Sequence, residues 1–168
     1  TGTDATTSVI ATSTTDNNGK YSLTGISEGS YTIKASKNGY DVWSETIQIN
    51  ADITSKNITL TQSTTYNVWV GGTQVTSANK DNVLGDATVT YTPDTNTLTL
   101  NWVNITTGDT SGITASNDLT IALSGENNIS SSAHAIEMTN GTLTITGPGS
   151  LNASSNSGQT TIYANGNV

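Results

Sequence analysis

The side chains that can exchange protons are few and widely spaced. The chain has a single histidine, His134, and no cysteine. His134 stands three residues before Glu137, a spacing that places two side chains on opposite faces of a strand. We therefore expect His134 to lie in a loop or at a rim, without a catalytic partner.

Carboxylates offer a second route to chemistry, because a pair at a fixed separation can act as acid and base in glycoside hydrolysis. Such a pair would have to form between residues that are distant in sequence, on coils of chain stacked against each other. The candidates lie mostly near expected turns: Asp94, Asp109, Asp118, Glu126 and Glu137. We find no combination of nucleophile, base and acid, and the sequence predicts that the protein is not an enzyme.

One short segment has the start of a calcium-binding pattern, Asp16-x-Asn18-Gly19. An EF-hand loop needs a bidentate Glu at its twelfth position, where this chain has Ser27. The segment therefore predicts a hairpin turn. We expect no dedicated metal site and no cofactor, with calcium binding elsewhere in the acidic loops left open.

Three tryptophans are the candidates for ligand contact: Trp102, Trp69 and Trp43. An indole ring offers a large flat surface on which the C–H face of a sugar can stack. Trp102 is the strongest candidate, because it interrupts a turn rich in Thr and Asn. The alternative is that its ring covers the end of a stack of coils.

The elements that position these residues are predicted to be β-strands throughout. Thr and Ser make up 54 of the 168 residues, whereas Glu, Lys and Arg, which usually cover helix surfaces, total nine. A net charge of -8 without arginine argues against binding to nucleic acid or to an anionic membrane. No apolar run is long enough to insert into a bilayer.

Residues 1–62 contain short alternating segments separated by turns, a pattern typical of a β-sandwich. The turns are expected at residues 16–19, 28–29 and 38–39, and the strands at 9–15, 21–26, 31–35, 42–49 and 53–60.

The turn and strand motifs in this segment resemble a known family. They are Thr15-Asp16-x-x-Gly19-x-Tyr21-x-Leu23, Gly29-x-Tyr31-x-Ile33-x-Ala35 and Lys37-x-Gly39-Tyr40. Over residues 9–60 they resemble the carboxypeptidase-regulatory-like, prealbumin-type sandwich, which implies a non-catalytic spacer or interaction module. Only eight residues precede Val9, so we expect an edge strand to be missing or supplied by another chain.

Residues 97–168 repeat one pattern, in which Leu98 and Leu119 are 21 residues apart and Leu119 and Leu143 are 24 residues apart. A second series runs in step with the first: Ile113, Ile136 and Ile162. Periods of this size predict a solenoid whose coils bury their apolar residues only by stacking. We expect the three leucines to form one column of the core.

Asparagines recur at the turns of this region, at Asn96, Asn117, Asn140 and Asn165. They are suitably placed for a ladder of stacked side chains. Asparagine also favours turns for local reasons, and the sequence leaves both interpretations open.

The segment from Tyr66 to Val75 and the Leu-Thr-Ile repeats resemble bacterial surface proteins with right-handed parallel β-helices of the pectate-lyase type, over residues 66–168. Lyases of this architecture usually combine clustered Asp residues for calcium with an Arg or Lys base. This chain has no arginine, and Lys80 is the only lysine after residue 62. Lyase activity is therefore not expected.

The predicted fold is all-β, with a small antiparallel prealbumin-like sandwich at residues 1–62 and the first coils of a parallel β-helix at residues 63–168. Ile162 starts a further coil that stops at Val168, so we expect the repeat region to be incomplete at its C-terminal end.

Three functions fit this organisation. The leading hypothesis is a non-catalytic structural or adhesive module of an extracellular prokaryotic cell-surface protein. The alternatives are a carbohydrate-binding module that uses the flank of the β-helix, and a filament subunit joined by strand donation or coil stacking. The expected partners are a polysaccharide or a cell-surface glycan, and neighbouring modules or identical subunits at both chain ends.

Overall fold

The computed structural model describes residues 8–53 and 55–166, and in this part of the chain the fold is all-β. The described residues include one short 3₁₀ helix, Pro93–Thr95, and no helix among them has the length and apolarity to cross a membrane. The chain splits into two compact units, Thr1–Ser36 with Val42–Thr59, and Lys37–Asp41 with Leu60–Val168. The proposed domain boundary at residue 62 stays a prediction. Val168, where the last coil was expected to stop, lies outside the described residues.

The strands are numbered in chain order. They are β1 Gly29–Ala35, β2 Trp43–Ile49, β3 Thr65–Val70, β4 Thr73–Thr76, β5 Val89–Thr92, β6 Thr97–Asn101, β7 Asn104–Thr107, β8 Ile113–Ala115, β9 Leu119–Ser124, β10 Glu126–Ser131, β11 Ile136–Met138, β12 Leu143–Thr146, β13 Ser150–Ser155 and β14 Ile162–Ala164.

The first unit is built on one antiparallel pair, β1 with β2, which runs from Gly29 opposite Ile49 to Ala35 opposite Trp43. Alternate residues of β1 are half-buried, as the alternating sequence predicts. None of the described residues of this unit is fully buried. The unit therefore has a thin core.

The other strands predicted for this unit are not regular strands. Residues 9–15, 21–26 and 53–60 form no ladder within the described chain, and Val9 and Ile10 stay 78% and 61% exposed. Isolated bonds hold these segments, such as the one that the Tyr21 hydroxyl donates to the carbonyl of Lys56 at 2.9 Å. Alternation of apolar and polar residues does not by itself make a ladder, because it does not supply a neighbouring strand for the backbone hydrogen bonds.

The second unit contains three sheets that the chain visits in a fixed order. The sheets are β5–β6–β9–β12, β7–β10–β13 and β4–β3–β8–β11–β14. From β6 to β14 the chain passes through them in the same order three times, and we call one such pass a coil. Strands of successive coils pair in parallel.

The strand partners show whether the two apolar series predicted from the sequence line up in the core. Ile113, Ile136 and Ile162 are direct partners across β8, β11 and β14, which confirms that series. The expected leucine column is wrong at its first step, because Leu98 pairs with Ile121 whereas Leu119 pairs with Leu143. The Leu-Thr-apolar segments look alike at both positions, but the segment in β9 begins two residues earlier than the segment in β6 in the shared register.

Two hairpins cover one edge of the stacked coils. β3 and β4 flank Gly71 and Gly72, whose φ angles of 57° and 79° are both positive, as a tight hairpin turn requires. β5 and β6 flank the 3₁₀ helix and Asn96, which has a φ of 47°. β3 pairs antiparallel with β8, and β5 pairs antiparallel with β6. The parallel pairing between coils therefore begins at β6 and β8.

The core of the second unit lies inside the three sheets. All buried hydrophobic residues fall between Val68 and Leu143 in the described chain. The outward positions of the β5–β6–β9–β12 sheet form what we call the threonine face, with Thr90, Thr92, Thr97, Thr99, Thr120, Thr144 and Thr146 in register.

Candidate functional site

Trp102 occupies the corner between β6 and β7 and is 67% exposed. Its φ of 56° lies in the left-handed region, which is a rare conformation for a bulky residue. The backbone N–H of Trp102 donates to the carbonyl of Ser124 in the next coil at 3.2 Å. The neighbouring coil therefore holds the corner that presents the indole ring.

Gly125 makes room for this ring. A Cβ atom at Gly125 would lie 2.4 Å from indole Cε2, so the indole lies directly against this glycine. Gly125 itself has a φ of 67°, which also favours glycine. We call Trp102 and Gly125 the corner platform, because one side of the ring is supported while most of the side chain remains exposed.

Asn127 anchors the backbone beneath the platform and is fully buried. Its Oδ1 accepts a hydrogen bond from the N–H of Val103 at 3.1 Å. Its Nδ2 donates to the carbonyls of Ser124, Gly125 and Ser150 at 3.1, 3.3 and 3.1 Å. One amide thus connects three coils at the corner.

A column of asparagines lies on the outward side of β7, β10 and β13. Asn104, Asn128 and Asn152 are direct partners in this sheet, and we call them the amide column. Asn152 Nδ2 donates to Asn128 Oδ1 at 3.1 Å and to Glu126 Oε1 at 3.3 Å. Trp102 stands two residues before Asn104, so the platform borders the column.

The other tryptophans lie elsewhere. Trp69 is half-buried on β3, opposite Gln74 and Thr114. Trp43 is half-buried on β2 in the first unit, where the Lys56 ammonium lies 5.7 Å from its ring centroid. Trp102 is therefore the tryptophan that presents the most open ring, and the three candidates do not share one sheet.

His134 and Glu137 border the same open groove of about 650 Å³, together with Asp109. His134 lies in the loop before β11, which begins at Ile136, so strand alternation does not place it opposite Glu137. His134 Nδ1 donates to the carbonyl of Thr160 at 2.6 Å, since a carbonyl can only accept. The ring also stacks on Tyr163, with centroids 5.1 Å apart.

Two carboxylates of the second unit bind groups of neighbouring coils. Glu137 accepts a hydrogen bond from the Ser111 hydroxyl at 2.7 Å. Asp118 Oδ1 accepts one from the N–H of Thr142 at 2.7 Å. These bonds account for both carboxylates as coil-to-coil contacts, and the expectation that the protein is not an enzyme stays a prediction.

Two surface groups between β4 and β5, Lys80 and Asp86, have shifted pKa values. A hydrogen bond from Lys80 to Asp81 raises the pKa of the lysine, and the two form an ion pair at 2.7 Å. Hydrogen bonds from the hydroxyl and the backbone N–H of Thr88 lower the pKa of Asp86. Lys80 is thus already paired with a carboxylate.

The possible calcium loop at Asp16 is a turn. Gly19 N–H donates to the carbonyl of Asp16 at 3.0 Å and Gly19 has a φ of 76°. Asp16 Oδ1 accepts from the N–H groups of Asn18 and Lys20 at 2.8 Å. Among residues 8–53 and 55–166, no three His, Cys, Asp or Glu side chains converge as a metal site would require. Calcium binding stays untested.

Two of the four turn asparagines, Asn96 and Asn165, bind groups other than a neighbouring asparagine. Asn96 Oδ1 accepts from the Tyr91 hydroxyl at 2.9 Å, and Asn165 Nδ2 donates to the carbonyl of Thr139 at 3.5 Å. Both bonds are local to turns or to the adjacent coil, which favours the turn preference of asparagine.

The sequence contains a signal for the amide column. The triplets that start at Asn104, Asn128 and Asn152 have the form Asn-x-Ser/Thr, with the second and third 24 residues apart. Buried Asn127 and the glycine under Trp102 had no comparable signal, because both depend on which residues the coils bring together.

Residues 1–66 match the family model of the carboxypeptidase regulatory-like domain. No curated protein and no solved structure gave a match to the chain. The family match covers the segment for which the sequence predicts a prealbumin-like module, and it ends where the second unit begins its first hairpin. The N-terminal segment is therefore similar to a generic β-sandwich module.

Proposed function

We propose that the chain is a non-catalytic adhesive part of an extracellular cell-surface protein, in which a prealbumin-like sandwich is followed by coils of a parallel β-helix. The similarity of residues 1–66 to a generic β-sandwich module supports the first part. The threefold passage through three sheets, with parallel pairing between coils, supports the second. The absence of enzymatic activity belongs to the same proposal, and turnover of a glycan by the purified chain would contradict it.

The adhesive contact that the geometry supports best is carbohydrate binding at the corner platform. The observation that carries it is the conformation of Trp102, which keeps a positive φ of 56° while its ring is 67% exposed. An exposed indole gains little from this position by burial, and the backbone conformation costs about 1 kcal/mol or more. A role in stacking on a ligand ring explains why this arrangement is kept.

A glycan array with the whole chain tests this function, followed by the Trp102→Ala variant on every glycan that binds. We expect the variant to lose at least about tenfold in affinity, since an aromatic stacking contact of more than 1.4 kcal/mol is removed. Thr144→Ala on the threonine face is the matched control and should bind as the parent chain does. An array without signal, or a Trp102→Ala variant that binds unchanged, would sink the proposal.

Self-assembly is a second candidate, because apolar residues of β12, β13 and β14 are partly exposed. Ile145 on β12 is 37% exposed although its partner Ile121 is fully buried. Leu151 and Ile162 on the other two sheets are half-buried. Sedimentation velocity at increasing concentration checks this candidate, and a monomer at every concentration would remove it.

A further inference from the structure

We propose that the corner platform and the amide column form one surface that binds a neutral, extended polysaccharide laid across the strands. This inference rests on the carbohydrate-binding function proposed above and adds the direction of the glycan and the residues beyond Trp102. A sugar stacked on Trp102 would place the following sugars over Asn128 and Asn152.

The spacing of the column fits a chain of sugars. Asn104, Asn128 and Asn152 are direct partners on adjacent strands, and adjacent strands lie about 4.8 Å apart. This distance is close to the length of one sugar unit in an extended polysaccharide. A glycan that runs perpendicular to the strands would therefore meet a new asparagine with each successive sugar.

The amides are oriented and keep unused hydrogen-bonding capacity. Asn152 Nδ2 donates to Asn128 Oδ1 and Glu126 Oε1, which fixes the Asn152 side chain. Within residues 8–53 and 55–166, Asn128 Nδ2 and Asn152 Oδ1 have no other side-chain or backbone partner. A planar amide that offers both a donor and an acceptor can bind two neighbouring sugar hydroxyls.

The charge around the column favours a neutral ligand over an acidic one. Glu126 belongs to the same outward surface and binds Asn152. Lys80, the only lysine after residue 62, is paired with Asp81. The whole chain carries a net charge of -8. A uronic-acid chain would therefore be repelled where a neutral chain would not.

Neither of the other two outward surfaces combines these features. The threonine face has hydroxyls in register and no aromatic side chain at its outward strand positions. The sheet that contains β3 has half-buried Trp69 and 42% exposed Tyr163, which stacks on His134. The row that joins these two rings contains Thr114 and Glu137 and no asparagine. The threonine face therefore supplies control substitutions on the same stack of coils.

Isothermal titration with neutral β-linked glucose oligosaccharides and with mannose oligosaccharides of one to six sugars tests the inference. Polygalacturonate serves as the acidic probe. With the parent chain, affinity for one neutral series should rise with each sugar up to about four units. Asn128→Ala and Asn152→Ala should each weaken the longer oligosaccharides about fivefold, the loss expected for one hydrogen bond, and leave the shortest bound ligand unchanged.

Control variants separate this inference from the broader function. Thr120→Ala and Thr144→Ala should leave affinities at every length unchanged, and thermal unfolding should show that both asparagine variants remain folded. Loss of binding in Trp102→Ala with no effect of either asparagine substitution overturns the amide column and leaves carbohydrate binding standing. Tighter binding of polygalacturonate, or no rise of affinity with length, also overturns it. A chain that binds no glycan of any class refutes the proposed function as well.

Discussion

Trp102 shows how one residue can be kept at a cost in stability. A side chain at a φ of 56° clashes with its own carbonyl, and a glycine at the same place would not. The cost is local, because the neighbouring coil supplies both the Ser124 carbonyl and the open space above Gly125. Conformational strain and ligand contact are therefore properties of the same residue and can be separated by substitution.

We expect Trp102→Gly to be more stable than Trp102→Ala by about 1 kcal/mol, because glycine adopts this backbone conformation without strain. Both variants lack the indole, so lost ring contacts cancel in the comparison. Urea unfolding of the two variants measures the difference in the free energy of unfolding. Equal stability would show that the positive φ is not retained once the ring is removed.

Ionisation of Tyr91 should lower the stability of the second unit at alkaline pH. Its ring is 4% exposed and its hydroxyl donates to Asn96. Burial, followed by the nearby Tyr66, raises the pKa of Tyr91 above 10.0. The folded state disfavours the ionised form, so the contribution to stability is complete below pH 10 and is lost as pH rises through the raised pKa.

Ultraviolet titration should therefore show a tyrosine ionisation with a raised pKa, together with a fall in unfolding temperature over the same pH range. Tyr91→Phe should remove this ionisation and flatten the pH dependence, at a loss of about 1 kcal/mol for the hydrogen bond to Asn96. An ionisation with the raised pKa that persists in Tyr91→Phe would assign it to another residue.

At the scale of strands and corners, Asn127 holds more of the second unit together than any of the asparagines singled out from the sequence. Asn127→Ala would remove the acceptor of the Val103 N–H and one donor to each of three carbonyls. The Ser124 and Gly125 carbonyls would keep the N–H groups of Trp102 and Ser150. We expect the free energy of unfolding to fall by about 3 kcal/mol. Asn128→Ala, one residue along the same strand and pointing outward, should change it by less than about 0.5 kcal/mol.

Chemical denaturation of both variants checks this contrast. Equal effects at the two positions would mean that water or a shifted backbone satisfies the groups around residue 127, and that the corner does not depend on the amide.

The same scale shows what could be predicted from the sequence. The isoleucine series and both hairpins were predictable, because apolar alternation and Gly-Gly or Pro-Asp-Thr-Asn turns act within a few residues. The register of Leu98 was not, because Leu119 and Ile121 offer equally apolar partners and only the pairing of whole strands decides between them. Trp102 was named from the sequence, whereas Gly125 beneath it became recognisable only when the coils were paired.

At the scale of the whole molecule, burial is distributed unevenly between the two units. The second unit contains all fully buried hydrophobic residues of the described chain, from Val68 to Leu143. In the first unit, Tyr31 and Ile47 are direct partners on β1 and β2, yet both are only half-buried. Burial of apolar surface is the main favourable contribution to folding, so the first unit should be the less stable of the two.

We therefore expect hydrogen exchange of the amides of β1 and β2 to be faster than that of β9 and β10 by at least about a hundredfold. Mass spectrometry of peptides from the two units measures both in one experiment, so the whole chain serves as its own control. Equal protection in the two units would show that the half-buried sheet of the first unit is stabilised by contacts beyond its own side chains.

The uniform pairing between coils also has a consequence for how such a chain can change in evolution. Asn128 and Asn152 are 24 residues apart and pair without a register shift, as do the other residues of β10 and β13. A gene duplication that copies one such segment in frame would add a complete coil and one more outward asparagine, while the two hairpins that start the stack stay as they are. The amide column can thus be lengthened by recombination alone, without a change in how the core residues of each coil pack.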